Sequence, residues 1–364
     1  MAPRDLSAGV AAVHPGVPAS VPHGGDLADA RALFPDAPTP WIDLSTGINP
    51  RPYPLPPVPP EAWTRLPGKA EEEALRRAAA AAYGAPGPDR VVPAPGTQAL
   101  ISLLPRLRPP GRVAVLSPTY GEHAAAWRAA GHEVAETPRA DDLADADVAV
   151  VTRPNNPDGR LMPRPHALAL AAALAARGGW LVADEAFADV LDPRRSLCPD
   201  ADAPGLVVLR SFGKFFGLAG VRLGFAVCAP ALAADVARAL GPWATSGPAV
   251  AVGTAALSDT AWIADERLRL AQEAARLDAL LAAAGLPVVG GTTLFRLVEH
   301  PDAQARADRL GRAGIYVRRF PARPDRLRFG LPGHARAWRR LADALGIDET
   351  ARPEEPDRPT GENG

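Results

Sequence analysis

The sequence predicts an α/β protein: a mostly parallel sheet layered between helices, followed by a smaller α+β unit. Three observations predict it. Between residues 70 and 245, apolar strand-like runs alternate with helix-like runs. Several of those runs, such as "RVAVLS" and "ADVAVVTRP", are continuously apolar, as strands covered by helices on both faces must be. Past residue 245 the pattern changes to a long helix and then to short strands mixed with helices.

Residues 1–22 are broken by prolines, lack a signal-peptide apolar stretch and read as a flexible leader. Residues 23–60 are polar and rich in Gly and Pro, and read as an N-terminal arm extended over another part of the molecule. The large domain is expected over 61–245. It opens with "KAEEEALRRAAAAAY", Lys69 to Tyr83, a strong helix with acids early and arginines later. Its strands are "RVVPAPG", "RVAVLS", "ADVAVVTRP", "GWLVADEAF" and "GLVVLRSFGK"; "TQALISLLPRL", "GEHAAAWRAAG" and "PRPHALALAAALAARG" are the helices between them. The small domain is expected over 246–348, with the long helix "DTAWIADERLRLAQEAARLDALLAAAG" and strands in "VVGGTTLFRLVEH", "GIYVRRF" and "RLRFGLP". Helices near 302–313 and 334–345 complete it. Residues 349–364, charged and proline-rich, read as a disordered tail.

At 364 residues, 47% hydrophobic and 22% charged, the chain can bury a large core. A formal net charge of -1 excludes a global attraction to nucleic acid or anionic membrane. Cys198 and Cys228 make neither a disulfide framework nor a metal-ligand spacing, so no metal is expected and the compartment is reducing. No apolar run reaches transmembrane length. A cytoplasmic protein acting on a small molecule is the expectation.

The chain has 40 Lys+Arg, yet only two are lysines, Lys69 and Lys214. Lys214 sits among phenylalanines and glycines in "RSFGKFFGLAGVRLG". A lysine in an apolar pocket has a lowered pKa, and its neutral amine can attack a carbonyl to form an imine. Arginine cannot, because it does not deprotonate. Three other segments fall at strand ends, where the crevice of such a sheet binds ligands. In "APGTQAL", Gly96 precedes a helix whose first turn holds Thr97 and Gln98, a place for a phosphate or simply a threonine-capped turn. In "RPNNPDG", Asn156 is held extended by Pro157, to aim its amide into the crevice or to make an ordinary turn. In "GWLVADEAF", Asp184 and Glu185 follow a buried strand, as carboxylates that must be paired at that depth or as simple loop or cap acids. One ligand suits all four: an aldehyde for Lys214, a phosphate for Ser211, Arg222 and the Gly96 turn, and an aromatic nitrogen for Asp184. Pyridoxal 5'-phosphate has all three.

The order of these segments resembles the fold-type I pyridoxal-phosphate enzymes of the aspartate aminotransferase superfamily, over roughly residues 40–345. "SFGKFFGLAGVRLG" is similar to their S-x-x-K-x(7)-R-x-G motif. The resemblance implies that Lys214 bonds the cofactor. Ser211, Arg222, Thr97 and the Gly96–Gln98 backbone would hold its phosphate. Asn156 would bond the ring hydroxyl, Asp184 the ring nitrogen, and Tyr120 would stack on the ring. Arg328 would bind the substrate carboxylate, and a homodimer is implied. Two positions depart from the pattern: Phe187 and Leu66 stand where many relatives have tyrosines, the second reaching the partner subunit's cofactor.

The arm narrows the resemblance. "HGGDLADARALFPDAPTPWIDLSTGINPRPYP", with its H-G-G-D and D-L-S-x-x-I-N-P elements, resembles the N-terminal signature of the threonine-phosphate decarboxylases of cobalamin biosynthesis. That resemblance implies decarboxylation of L-threonine O-3-phosphate to (R)-1-aminopropan-2-yl phosphate. Substrate binding would fall to His23, Gly24, Gly47, Asn156, Arg318 and Arg328. His23 and the Gly24–Gly25 backbone could form an anion nest or a simple turn. Arg318 and Arg328 divide the substrate's phosphate and carboxylate in an order the sequence leaves open, and if they lie on a strand one of the adjacent Arg318 and Arg319 should point to solvent. The runner-up is a histidinol-phosphate aminotransferase, with the same fold and cofactor. A reading from another class is a non-catalytic pyridoxal-phosphate-binding regulator.

Overall fold

In the computed structural model the described residues are 24–347; the expected leader, His23 and the expected tail lie outside them. The arm is not wholly extended. It carries a short helix, Leu27–Leu33, whose first turn is capped by Asp26 accepting from the Ala28 N–H at 2.8 Å. It then supplies a strand, β1 (Ile42–Leu44).

The larger sheet has seven strands: β2 (Val91–Ala94), β3 (Arg112–Leu116), β4 (Glu133–Thr137), β5 (Val148–Thr152), β6 (Trp180–Asp184), β7 (Leu206–Ser211) and β8 (Gly224–Cys228). Their spatial order is β2-β8-β7-β6-β5-β3-β4. The β7-β6-β5-β3-β4 run is parallel throughout, and β8 alone runs against its neighbours β2 and β7. Both faces are buried. Val148, Val150, Val207 and Leu209 join one core, while Ala149, Val151, Leu206 and Val208 join the other. This explains the continuously apolar strand sequences.

Helices Thr97–Leu103, Glu122–Ala129 and Pro230–Leu240 bring apolar residues to the first core. Helices Lys69–Tyr83, Arg164–Ala175 and Gly247–Ser258 do so on the second. The Lys69–Tyr83 helix has the bounds its sequence dictates and stops at Gly84, whose φ of 70° only glycine adopts cheaply.

The second sheet contains β9 (Val288–Thr292), β10 (Phe295–Glu299), β11 (Ile315–Arg319) and β12 (Arg326–Gly330), in the order β1-β11-β12-β10-β9. The arm strand β1 lies parallel to β11, with Ile42 opposite Ile315. The long helix Thr260–Ala283 precedes this sheet. Four elements of the larger layer escaped the sequence reading: β4, β8 and the helices Pro230–Leu240 and Gly247–Ser258. In β4 only Thr137 is buried, so it carries almost no apolar signal. No helix among the described residues is long and apolar enough to cross a membrane.

Candidate active site

The carboxyl ends of β2, β3, β5, β6 and β7 open on one cavity of about 460 Å³, the crevice where parallel sheets bind ligands. Apart from His23, every candidate residue read from the sequence lines its wall.

Lys214 stands in a four-residue helix, Phe212–Phe215, directly after β7. Its Nζ lies 5.7 Å from the centre of the Phe187 ring. Burial, helped by the nearby guanidinium of Arg328, lowers its pKa to about 8. About a tenth of the amine is therefore neutral at pH 7, far more than for an ordinary lysine, as an imine-forming lysine requires.

Asp184 is the last residue of β6 and is 3% exposed. One oxygen accepts from the Ala186 N–H at 2.9 Å. The other is 2.8 Å from His123 Nε2, on the helix Glu122–Ala129. The sequence reading missed His123. Its position three residues after Tyr120, in the first turn of the helix that follows, was the available signal. The Tyr120 hydroxyl donates to Gln98 Oε1 at 3.2 Å, and its own pKa is pushed up to about 12 by burial.

A corner built for an anion lies at the other end. Gly96, not Thr97, occupies the cap position of its helix, with φ 83° and no capping side chain. A Cβ on Gly96 would sit 2.5 Å from the Arg222 guanidinium, and one on Gly224 would sit 2.6 Å from the Thr97 nitrogen. Both glycines let backbone and guanidinium converge. Arg222 itself holds a left-handed backbone, φ 54°, uncommon for a residue with a side chain. Ser211, the last residue of β7, also lines this cavity.

The opposite wall joins the arm to the second sheet. On β12, Arg328 donates from Nη1 to Asn156 Oδ1 and from Nη2 to the Ser45 carbonyl at 2.8 Å. Its Nε is buried without a hydrogen-bond partner. Burial and neighbouring Arg318 push Arg328 down to about 9. A buried guanidinium bonded to an amide and a carbonyl and, among the described residues, to no carboxylate is arranged to receive an anion. Arg318 on β11 faces the same cavity. Its neighbour Arg319 points to the other side, half-exposed, where it pairs with Asp308 at 2.7 Å and lies over the Phe34 ring.

Ser45 knits the arm together, donating to Asp43 Oδ1 at 2.6 Å and accepting from the Gly25 N–H at 2.7 Å. Gly24 packs on it so closely that a Cβ would meet the Ser45 carbonyl at 2.6 Å. Gly47 lies against Phe187 and Phe295, each 2.9 Å from where a Cβ would be. Asn156 and Pro157 are joined by a cis peptide bond. The adjacent Asn155 is turned away from the ligand space, bonding Thr119, Pro118 and Asp158.

Below the cavity floor, Glu185 accepts from Arg153, from Arg210 at 3.0 Å, from Ser196 Oγ at 2.6 Å and from the Leu197 N–H at 2.9 Å. Arg210 also pairs with Asp189 at 2.5 Å. These groups are all buried and tie together the carboxyl ends of β5, β6 and β7. Asp184 and Glu185 thus serve opposite sides: one faces the cavity, the other the floor.

The sequence matches the aminotransferase class I and II family over residues 63–345. It is 47% identical to a threonine-phosphate decarboxylase of Pseudomonas aeruginosa, over 90% of this chain and 98% of that one. It is 35% identical to a histidinol-phosphate aminotransferase of Oleidesulfovibrio alaskensis, over 63% of this chain and 66% of that one. Among solved structures it is similar in fold to a histidinol-phosphate aminotransferase of Sinorhizobium meliloti in complex with pyridoxal-5'-phosphate. That likeness has a TM-score of 0.75 and 23% identity, covering 90% of this chain and 94% of the other. The chain belongs to the aminotransferase class I and II family.

Proposed function

We propose that this chain, with bound pyridoxal 5'-phosphate, converts L-threonine O-3-phosphate to (R)-1-aminopropan-2-yl phosphate and carbon dioxide, a step of cobalamin biosynthesis. The likeness to the Pseudomonas decarboxylase, which extends over 98% of that chain, carries the reading. The cavity supports the cofactor. Gly96 and Gly224, where a Cβ would collide, let the start of the Thr97 helix and the Arg222 guanidinium come together on the cavity wall as an anion needs, and a buried carboxylate faces the cavity from β6. Lys214 is the one lysine there.

When bound, the cofactor supplies a conjugated ring that accepts the electron pair of the bond broken at the substrate's α carbon. The residues divide the remaining work. Ser211, Arg222, Thr97 and the Gly96–Gln98 backbone would hold the cofactor phosphate. Asp184, kept in place by His123 and the Ala186 N–H, would face the ring nitrogen. Asn156 would contact the ring hydroxyl and Tyr120 would cover the ring. Arg318 and Arg328, with the arm residues His23, Gly24 and Gly47, hold the substrate's phosphate and carboxylate. Binding both anions fixes rotation about the α carbon, so the carbon–carboxylate bond is the one aligned for cleavage. As carbon dioxide leaves, Lys214 Nζ or a water delivers the proton that replaces it.

The same set could run transamination if the carbon–hydrogen bond were aligned instead. The likeness to the Oleidesulfovibrio aminotransferase makes histidinol phosphate the second substrate to test. The test pairs carbon dioxide release from phosphothreonine with keto-acid-dependent conversion of histidinol phosphate. Decarboxylation without the second activity is the expected result; the reverse overturns the proposal.

A cytoplasmic homodimer is part of the same reading. Trp63, Leu66 and Trp243 are more than half exposed, and helix Pro60–Thr64 lies against Gly247, near the loop that bears Trp243. An apolar surface of this kind suits burial against a second copy. Sedimentation of the wild type as a dimer, and of a Trp63→Glu, Trp243→Glu variant as a monomer, is the expected outcome.

A further inference from the structure

The helix that bears Lys214 has four residues, too few to hold itself. Its exit is held from outside. The Asn49 N–H donates to the Lys214 carbonyl at 2.9 Å, and Asn49 Nδ2 donates to the Phe215 carbonyl at 2.9 Å. Tyr53 continues the contact, its N–H donating to the Phe216 carbonyl at 2.9 Å. Gly217 makes the approach possible: at φ 67°, a Cβ there would meet the Asn49 carbonyl at 2.7 Å.

Asn49 is 2% exposed, and its amide is fully used. Nδ2 also donates to Glu266 Oε1 at 2.5 Å. Oδ1 accepts from Arg269 Nη2 at 2.9 Å and from the Arg51 N–H at 3.0 Å. Glu266 and Arg269 pair with each other on the long helix Thr260–Ala283, which leads into the second sheet. Two donors and two acceptors on so short a stem are what asparagine alone provides. Aspartate would offer no donor and would set a second carboxylate against Glu266.

We propose that Asn49 is a positioning residue for Lys214, fixing the lysine's backbone from the arm and coupling it to the long helix through Glu266 and Arg269. Gly47, two residues earlier, lines the cavity, so the same short segment shapes the substrate space and seats the reactive amine. The inference rests on Lys214 being the cofactor lysine.

The test uses full-chain holoenzyme of the wild type, Asn49→Ala, Glu266→Gln and, as a stability control, Leu75→Ala in the core. Two quantities are read: the pH titration of the visible absorbance of the lysine-bound cofactor, and kcat and KM per bound cofactor. Asn49→Ala is expected to move the titration midpoint by about one pH unit. Its kcat should fall by about 10- to 100-fold, with KM changed by less than about threefold. Glu266→Gln, which keeps the shape, should move both in the same direction by less, and it decides the matter if Asn49→Ala does not fold. Leu75→Ala should lower the melting temperature alone. Wild-type titration and kcat in the variants, with only melting affected, overturns the inference while leaving the lysine assignment intact. A wild type without visible absorbance removes both.

Discussion

His123 Nε2 lies 2.8 Å from Asp184 Oδ2, and both side chains are closed to solvent. A buried carboxylate that bonds a histidine and a backbone N–H on its far side has its charge held in place for a ligand on the near side. Asp184→Ala is expected to lower kcat by on the order of 100- to 1,000-fold, as removal of a preorganised charge does. His123→Phe leaves the carboxylate but removes one partner, and should cost roughly tenfold. Steady-state kinetics with the bound cofactor quantified by absorbance separates the two.

Arg328 and Arg318 face one cavity, and the Arg328 hydrogen bonds go to an amide and a carbonyl. Replacing either by glutamine should reduce kcat/KM for phosphothreonine by about 2–5 kcal/mol, the range for truncating one side of a buried charged contact. Comparison with unphosphorylated threonine identifies the roles. The variant at the phosphate-binding arginine loses its preference for the phosphorylated substrate, and the other variant keeps it.

Lys214 has a defined pH signature. Burial lowers it to about 8, against 10.5 for an unburied lysine. Between those values the unfolded chain binds a proton that the folded chain has released. Cofactor-free protein therefore gains stability as pH rises from about 8 towards 10.5, and loses that gain as pH falls through about 8. Capture of the aldehyde cofactor, followed by stopped-flow absorbance, should accelerate with pH and level off above about 8. Lys214→Arg should capture none.

Glu185 carries the floor. It accepts from two buried arginines at once, so Glu185→Ala strands two cations in the interior. Thermal and denaturant unfolding should show a loss of about 3–5 kcal/mol. Exposed pairs such as Arg238 with Asp235 should show far less when broken, about 0–1 kcal/mol.

What the sequence disclosed follows from distance along the chain. Ser211, Lys214 and Arg222 form a local motif; the apolar setting of a rare lysine pointed to imine chemistry, and the likeness of the motif to a known family pointed to its phosphate anchors. The apolar runs of β3, β5, β6 and β7 disclosed the covered sheet, because burial on both faces leaves no polar alternation. Contacts across the fold left no such trace. Arg328 meets Asn156 across 172 positions, and Asn49 meets Glu266 across 217. His123 and Arg153 sit on ordinary helical and turn sequences, and only the closed structure shows which carboxylate each meets. The arm read as extended because its apolar content is low. Its strand β1 is recruited by pairing with β11, a partner far along the chain.

The central claim is that the bound substrate loses its carboxylate rather than its amino group. The direct measurement is turnover of carboxyl-labelled phosphothreonine by the holoenzyme without any keto acid, beside Lys214→Ala. Labelled carbon dioxide and aminopropanol phosphate in equal amounts from the wild type, and neither from Lys214→Ala, is the predicted result. Label retained in a keto-acid product, formed only when an amino acceptor is added, would contradict it.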